Sequence, residues 1–212
     1  MKETTRNIFL EFTQRNSALV ELSADLLIAF TRLCEVFEQG GTLYVCGNGG
    51  SNCDSEHISG ELLKSFKKSR PLSAEMQAAL KEQGEDGERV LAGLEGGLPV
   101  VPLGGFSGFS TAYANDKDSA CTYAQLVQVL AKPNDALLTI STSGNSKNCV
   151  YAAMVAKAKG MPVCFLGGGN GGKLLSLADV SIIAPESETY KVQECHLPIY
   201  HCLCAMLEEE FF

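Results

Sequence analysis

Apolar residues recur at helical spacing from Ile8 through Phe12, Leu19, Leu22, Leu26, Phe30 and Leu33 to Phe37. This predicts one long amphipathic helical segment over 4–39, broken near Asn16-Ser17, and stopped by Gly40-Gly41. From Thr42 the pattern changes to short apolar runs rich in strand formers, at 42–46, 98–103, 135–140, 162–166 and 180–184. Helical patterns separate them: one opening at Ser51, one at about 122–130, one from Ser146 to Lys159-Gly160, and a last one from about Thr189 to Glu209. A Gly/Ser-rich loop is expected between 104 and Ala114-Asn115-Asp116. Strands alternating with helices predict an α/β fold, a doubly wound parallel five-stranded sheet flanked by helices, with a long N-terminal helix. In such a sheet ligands lie outside the C-terminal ends of the strands.

One segment interrupts the alternation. Lys67 to Gly97 carries charges, Pro71 and several glycines, with helical stretches at Ser73–Glu82 and Gly87–Leu94. Its apolar positions are too few for a core of its own. The expectation is therefore one domain over 1–212, with 67–97 as an inserted helical segment or lid.

Composition narrows the partners. The 212 residues carry a formal net charge of −8 and a pI near 4.9, which argues against direct nucleic-acid binding. No apolar run approaches the roughly 20 residues of a membrane span, and MKETTRNIFLEF lacks the apolar stretch of a secretory signal. Nine cysteines, scattered and without a CxxC pair, point to reduced thiols and a cytoplasmic location.

The chemistry gathers around Gly40–Phe66. A strand, the turn Gly47-Asn48-Gly49-Gly50 and Ser51, placed as a helix N-cap, make an anion-binding corner. His57 and Glu61 follow on the same helix, four residues apart and so on one face. They suit a metal ligand pair or an acid/base pair; His57 alone would read as the cap of a polar pocket. A second corner, Ser141-Thr142-Ser143-Gly144-Asn145-Ser146, sets four hydroxyls around a glycine between a buried strand and a helix. One or two hydroxyls would read as an N-capped turn, but four favour phosphate. Gly47–Gly50 is not a dinucleotide fingerprint, since Asn52 stands where the third glycine belongs. Gly167–Gly172 with Lys173 is not a Walker loop, since Leu174 stands where Ser or Thr must be; it reads as a flexible turn. In the last helix Gln193 and His201 share a broad face, about 80° and ~12 Å apart, whereas His196 points elsewhere and reads as structural. Cys195, Cys202 and Cys204 are scattered by helical spacing and do not suit a metal cluster. A phosphate corner beside Glu and His suits aldose–ketose isomerisation, provided that the 193–201 helix folds over the 57–61 helix.

Taken together, CGNGGSNCDSEH with Glu61 four residues on, AND at 114–116, ISTSGNSKN at 140–148, KGMPV, GGKLLSLADV and VQECH with His201 five residues on resemble the phosphoheptose isomerases of the sugar isomerase (SIS) superfamily. These convert sedoheptulose 7-phosphate to D-glycero-D-manno-heptose 7-phosphate. The likeness covers the chain outside 67–97, in order. It implies a SIS α/β sandwich, a homotetramer with sites at subunit interfaces, and one zinc ion per site. It places the zinc ligands at His57, Glu61, Gln193 and His201, the general base at Glu61 and the general acid at His201. It places substrate contacts at Asn48, Gly49, Gly50, Asn115, Asp116, Ser141, Thr142, Ser143, Ser146 and Gln193, and Ser51 at the helix head is counted with them.

Three positions depart from the family pattern. Ser65 stands where the family has arginine, Tyr190 where it has aspartate, and the 67–97 connection is longer. All three bear on the choice of sugar more than on the reaction. The alternatives are an isomerase or binder of another sugar phosphate on the same machinery, and a non-catalytic oligomeric adaptor with no need for metal.

Overall fold

The computed structural model describes residues 1–212. Five strands, β1 (Leu43–Cys46), β2 (Val100–Pro102), β3 (Ala136–Ser141), β4 (Val163–Gly168) and β5 (Val180–Ala184), form one parallel sheet in the order β2-β1-β3-β4-β5. Every residue of β1, β3 and β4 is buried, as central parallel strands covered on both faces must be.

The side chains alternate between two layers. Leu43, Val45, Leu138, Ile140, Cys164 and Leu166 face a core built with α1 (Glu3–Arg15), α2 (Ser23–Glu38), α3 (Gly50–Leu63) and α9 (Thr189–Phe211). Tyr44, Cys46, Leu137, Val163 and Phe165 face α7 (Thr122–Leu130) and α8 (Lys147–Ala158). Helices α3 and α9 therefore share a layer and pack against each other. The chain leaves β1 toward β2 on one side and returns to β3 on the other. The turns after β1 and β3 thus flank the point where strand order reverses, the place where such sheets bind ligands.

The N-terminal segment breaks at Asn16, whose amide side chain donates to the Phe12 carbonyl, and a short 3-10 turn over Ser17–Leu22 joins α1 to α2. The inserted stretch forms α4 (Ala74–Lys81), capped by Ser73 Oγ accepting from the Met76 amide, and α5 (Glu85–Gly93). These two helices bury only Gly87, which packs on the Leu80 carbonyl where a Cβ would not fit. The base of the insertion is closed by the Gly96 amide donating to the Arg70 carbonyl at 2.6 Å.

Two local expectations fail. The stretch before Asp116 is a helix, α6 (Ser107–Asp116), rather than a loop. Phe109 and Tyr113 stack one turn apart, with ring centroids at 5.3 Å, and this i, i+4 pair offsets part of the weak helix propensity of Gly and Ser. Ser51 is not the N-cap of α3: Gly49, at φ +54°, holds that position and the helix begins at Gly50. The left-handed turn comes easily only to glycine, and it draws Ser51 into the buried first turn.

Candidate active site

The two loops leave neighbouring strands and are tied together. Asn48 and Asn148 exchange two amide hydrogen bonds of 2.8 Å, and Tyr123 Oη donates to the Gly47 carbonyl at 2.6 Å. Ser141 is buried at the end of β3, with its Oγ 3.1 Å from Ser146 Oγ. Ser143 Oγ accepts from the Asn145 amide at 3.3 Å, which tightens the turn around Gly144 at φ +65°. The glycine run Gly169–Gly172 packs directly on this turn: the Gly171 carbonyl fills the space of a Gly144 Cβ, and the Leu174 amide donates to the Gly144 carbonyl. It braces the hydroxyl loop instead of standing apart as a free turn.

The second cluster lies further along α3. His57 Nε2 is 3.1 Å from Glu61 Oε1, as their i, i+4 spacing requires. Helix α9 brings His201, whose Nε2 is 3.4 Å from His57 Nε2. One ligand atom from each of His57, Glu61 and His201 falls within 4.8 Å of the others, so the three could hold a metal ion. Burial, reinforced by His57 and partly opposed by Glu61, holds the His201 imidazole below its usual range. Its lone pair is thereby available near neutral pH.

Not all of the remaining expected residues join these two places. Gln193 lies with its side-chain amide against Gly50, leaving no room there for a Cβ. That is about 10 Å, seven residues, from His57 along the α3 axis. Asn48, Gly49 and Gly50 are exposed at the turn before α3, while Ser141, Thr142, Ser143 and Ser146 run from buried to exposed around the second loop. Asn115 and Asp116 are exposed at the end of α6, where the Asn115 amide donates to the Asp116 carboxylate. His196 is fully buried on α9, with Nε2 3.1 Å from the Gly167 carbonyl.

Four residues that bear on the site were not singled out from sequence. Tyr200 Oη is 2.9 Å from His57 Nδ1 and donates to Asp54 at 3.4 Å. Asp54 lies three residues before His57, and that helical spacing was its visible signal; Tyr200 offered none. Asn148 became visible only through its bonds to Asn48. Arg70 is fully buried. Its guanidinium donates to the carbonyls of Glu61 and Leu62 at 2.6 Å each and to Glu208 Oε1 at 2.8 Å. It joins the end of α3 to α9. Of the departures, Ser65 is held at the foot of the insertion by its amide donating to Glu95 at 2.9 Å, and Tyr190 is exposed.

Known proteins match this sequence and fold. Residues 103–168 match the SIS domain family. The chain is 36% identical over 180 residues to the phosphoheptose isomerase of Leptospira biflexa, covering 85% of this chain and 80% of that protein. It is 35% identical over 202 residues to that of Methylibium petroleiphilum, covering 94% and 88%. The solved structure of a phosphoheptose isomerase from Francisella tularensis superposes with a TM-score of 0.74 at 27% identity, over 98% of this chain and 100% of the other. The one from Neisseria gonorrhoeae gives 0.73 at 26%, over 98% of each. With a third of its residues shared over most of both lengths, and with the same fold throughout, this protein belongs to the phosphoheptose isomerase family.

Proposed function

We propose that the chain isomerises sedoheptulose 7-phosphate to D-glycero-D-manno-heptose 7-phosphate through an enediolate. The observation that carries this reading is the meeting of His57, Glu61 and His201, drawn from opposite ends of the chain, within 4.8 Å. The hydroxyl loop Ser141, Thr142, Ser143 and Ser146, with Ser51 and the turn Asn48–Gly50, takes the phosphate and the adjoining hydroxyls. Asn115, Asp116 and Gln193 complete the substrate contacts. Glu61 is the base: it takes a proton from C1 and returns it to C2. His201 is the acid, moving a proton between the oxygens on C2 and C1.

The donor set also fits zinc. Tetrahedral ligands bound at about 2.0–2.1 Å stand roughly 3.3 Å from one another; two of the three separations here are 3.1 and 3.4 Å, and the third, between Glu61 and His201, falls within 4.8 Å. His57, Glu61 and His201 would hold the ion; Gln193, whose amide lies against Gly50, would have to turn toward them to serve as the fourth ligand. When bound, it supplies positive charge against the oxygen charge that develops in the enediolate.

The whole chain is read as one SIS domain, with 67–97 as a lid, working as a homotetramer with sites at subunit interfaces. A cytoplasmic location suits its nine unpaired cysteines, and no helix is long and apolar enough to cross a membrane.

The test is conversion of sedoheptulose 7-phosphate by purified protein, beside Glu61→Gln and His201→Ala. Both variants should keep their melting temperature within a few degrees and lose at least about 100-fold in kcat, the scale of acid–base catalysis. Elemental analysis should find zinc near one per chain. Wild-type protein that turns over another sugar phosphate and not this one would replace the substrate. Absence of both turnover and zinc would make the protein an adaptor.

A further inference from the structure

His57 occupies an exposed helical surface, where an imidazole ordinarily turns freely. Here it does not. Tyr200 is 2% exposed and belongs to the main core cluster, so its ring is fixed by packing. Its hydroxyl stands 2.9 Å from His57 Nδ1, and the two rings meet edge to face, 5.4 Å between centroids. On its other side the hydroxyl donates to Asp54 Oδ1 at 3.4 Å. A carboxylate only accepts, so a phenol proton directed to Asp54 leaves the phenol oxygen free to accept from His57. When a cation occupies Nε2, the imidazole proton is on Nδ1, held by the phenol; with no cation there, Nε2 donates instead to the Glu61 carboxylate at 3.1 Å. Nε2 is the atom that faces Glu61 Oε1 and His201 Nε2.

We propose that Tyr200, backed by Asp54, is a positioning residue that fixes the orientation of His57 and holds its Nδ1 proton when Nε2 serves as a metal ligand. Asp54 fits the part: its second oxygen, Oδ2, is buried without a partner, so Tyr200 is the side-chain donor it has. The arrangement follows the general rule that a ligating histidine holds its other ring nitrogen on an oxygen, with a phenol interposed between imidazole and carboxylate. The inference rests on the metal reading of this site, and the zinc affinity of the wild type tells the failure of one from the failure of the other.

In the zinc-loaded protein, 15N–1H spectra near neutral pH report how fast the His57 Nδ1 proton exchanges with water. That proton should exchange slowly in the wild type and faster in Tyr200→Phe, which keeps the ring and loses only the hydroxyl. Competition with a chromophoric chelator then gives zinc affinity, expected to fall about 10- to 100-fold in Tyr200→Phe. At saturating zinc its kcat should recover to within a few-fold of wild type, because the phenol touches no reacting atom. Asp54→Asn, which leaves the Tyr200 ring in place, should show a smaller loss of affinity in the same direction and stands in if Tyr200→Phe does not fold. Equal exchange of that proton in the wild type and a folded Tyr200→Phe overturns the inference. So does zinc affinity in a folded variant within twofold of wild type. A wild type with no zinc affinity would sink the metal reading of the site and, with it, the ligand-presenting role.

Discussion

Two histidines five residues apart on α9 serve different ends. His201 faces the cluster on α3, while His196 is sealed in the core, where burial pushes its imidazole down to about 4 against only one supporting bond, to the Gly167 carbonyl. The folded value lies below the unfolded one of 6.5. As pH falls, the unfolded chain therefore takes up the proton first, and stability declines between pH 6.5 and 4. The full effect is on the order of 3 kcal/mol. Urea unfolding of His196→Gln and of the wild type across pH 7 to 4 should show that part of the slope missing from the variant. At this scale the sequence was informative about type and spacing. His57 with Glu61, and His196 as the odd one out, follow from helical angles alone. Gly49 as the true cap of α3 does not, because the cap depends on which residue the turn forces to positive φ.

Among the elements, the pairing of α3 with α9 decides whether the site exists. The last carbonyls of a helix lack intrahelical partners. Those of Glu61 and Leu62 are taken by the Arg70 guanidinium, whose Nε donates to Glu208. Glu208 also accepts from the amides of Phe66 and Lys67 at 2.8 and 2.7 Å, and the Phe212 ring lies 5.1 Å from the guanidinium carbon. Burial alone would raise the Glu208 carboxyl, but these donors outweigh it and hold it below the ordinary carboxylate range. Arg70→Ala leaves the buried carboxylate without its cation, and removing one partner of such a pair costs about 3–5 kcal/mol. Denaturant unfolding should show that loss. Arg70→Lys should recover little of it, because an ammonium cannot reach two carbonyls and a carboxylate as a planar fork does. Since Glu208 is depressed in the folded state, its contribution is present above the unfolded carboxylate range and is lost as pH falls through the folded value. Arg70→Ala should therefore lose part of the wild type's acid-side slope. None of this was legible beforehand: Arg70 sits in a charged, proline-containing stretch that looks like solvated surface, and the Glu208 that buries it is 138 residues away.

Over the whole molecule, the insertion stands apart from the two core layers. Helices α4 and α5 bury little, expose Met76 and Val90, and hang from a base closed by Arg70 and Gly96. Replacing 74–93 by a short Gly/Ser linker, with both base residues kept, should cost less than about 1 kcal/mol, or roughly 2–4 °C in melting temperature. If the segment is a lid, the same variant should show a raised KM for sedoheptulose 7-phosphate; unchanged kinetics would leave it no such role. Light scattering of the intact protein should give the mass of four chains.

Periodicity, strand-former runs and glycine stops were enough to settle the order of the elements apart from α6, the parallel sheet and the two loops at strand ends, because each depends on residues close together in the chain. The corner at Gly47–Gly50, the hydroxyl loop and the His57–Glu61 pair are local in the same sense. The arrival of His201 beside them, 144 residues from His57, the hold of Tyr200 on His57 and the Arg70 tie between α3 and α9 were decided only by tertiary structure. Helical and strand periods say which face of an element is apolar. Which buried faces meet, and which polar groups are then forced to find one another, is set only when the helices close over the sheet.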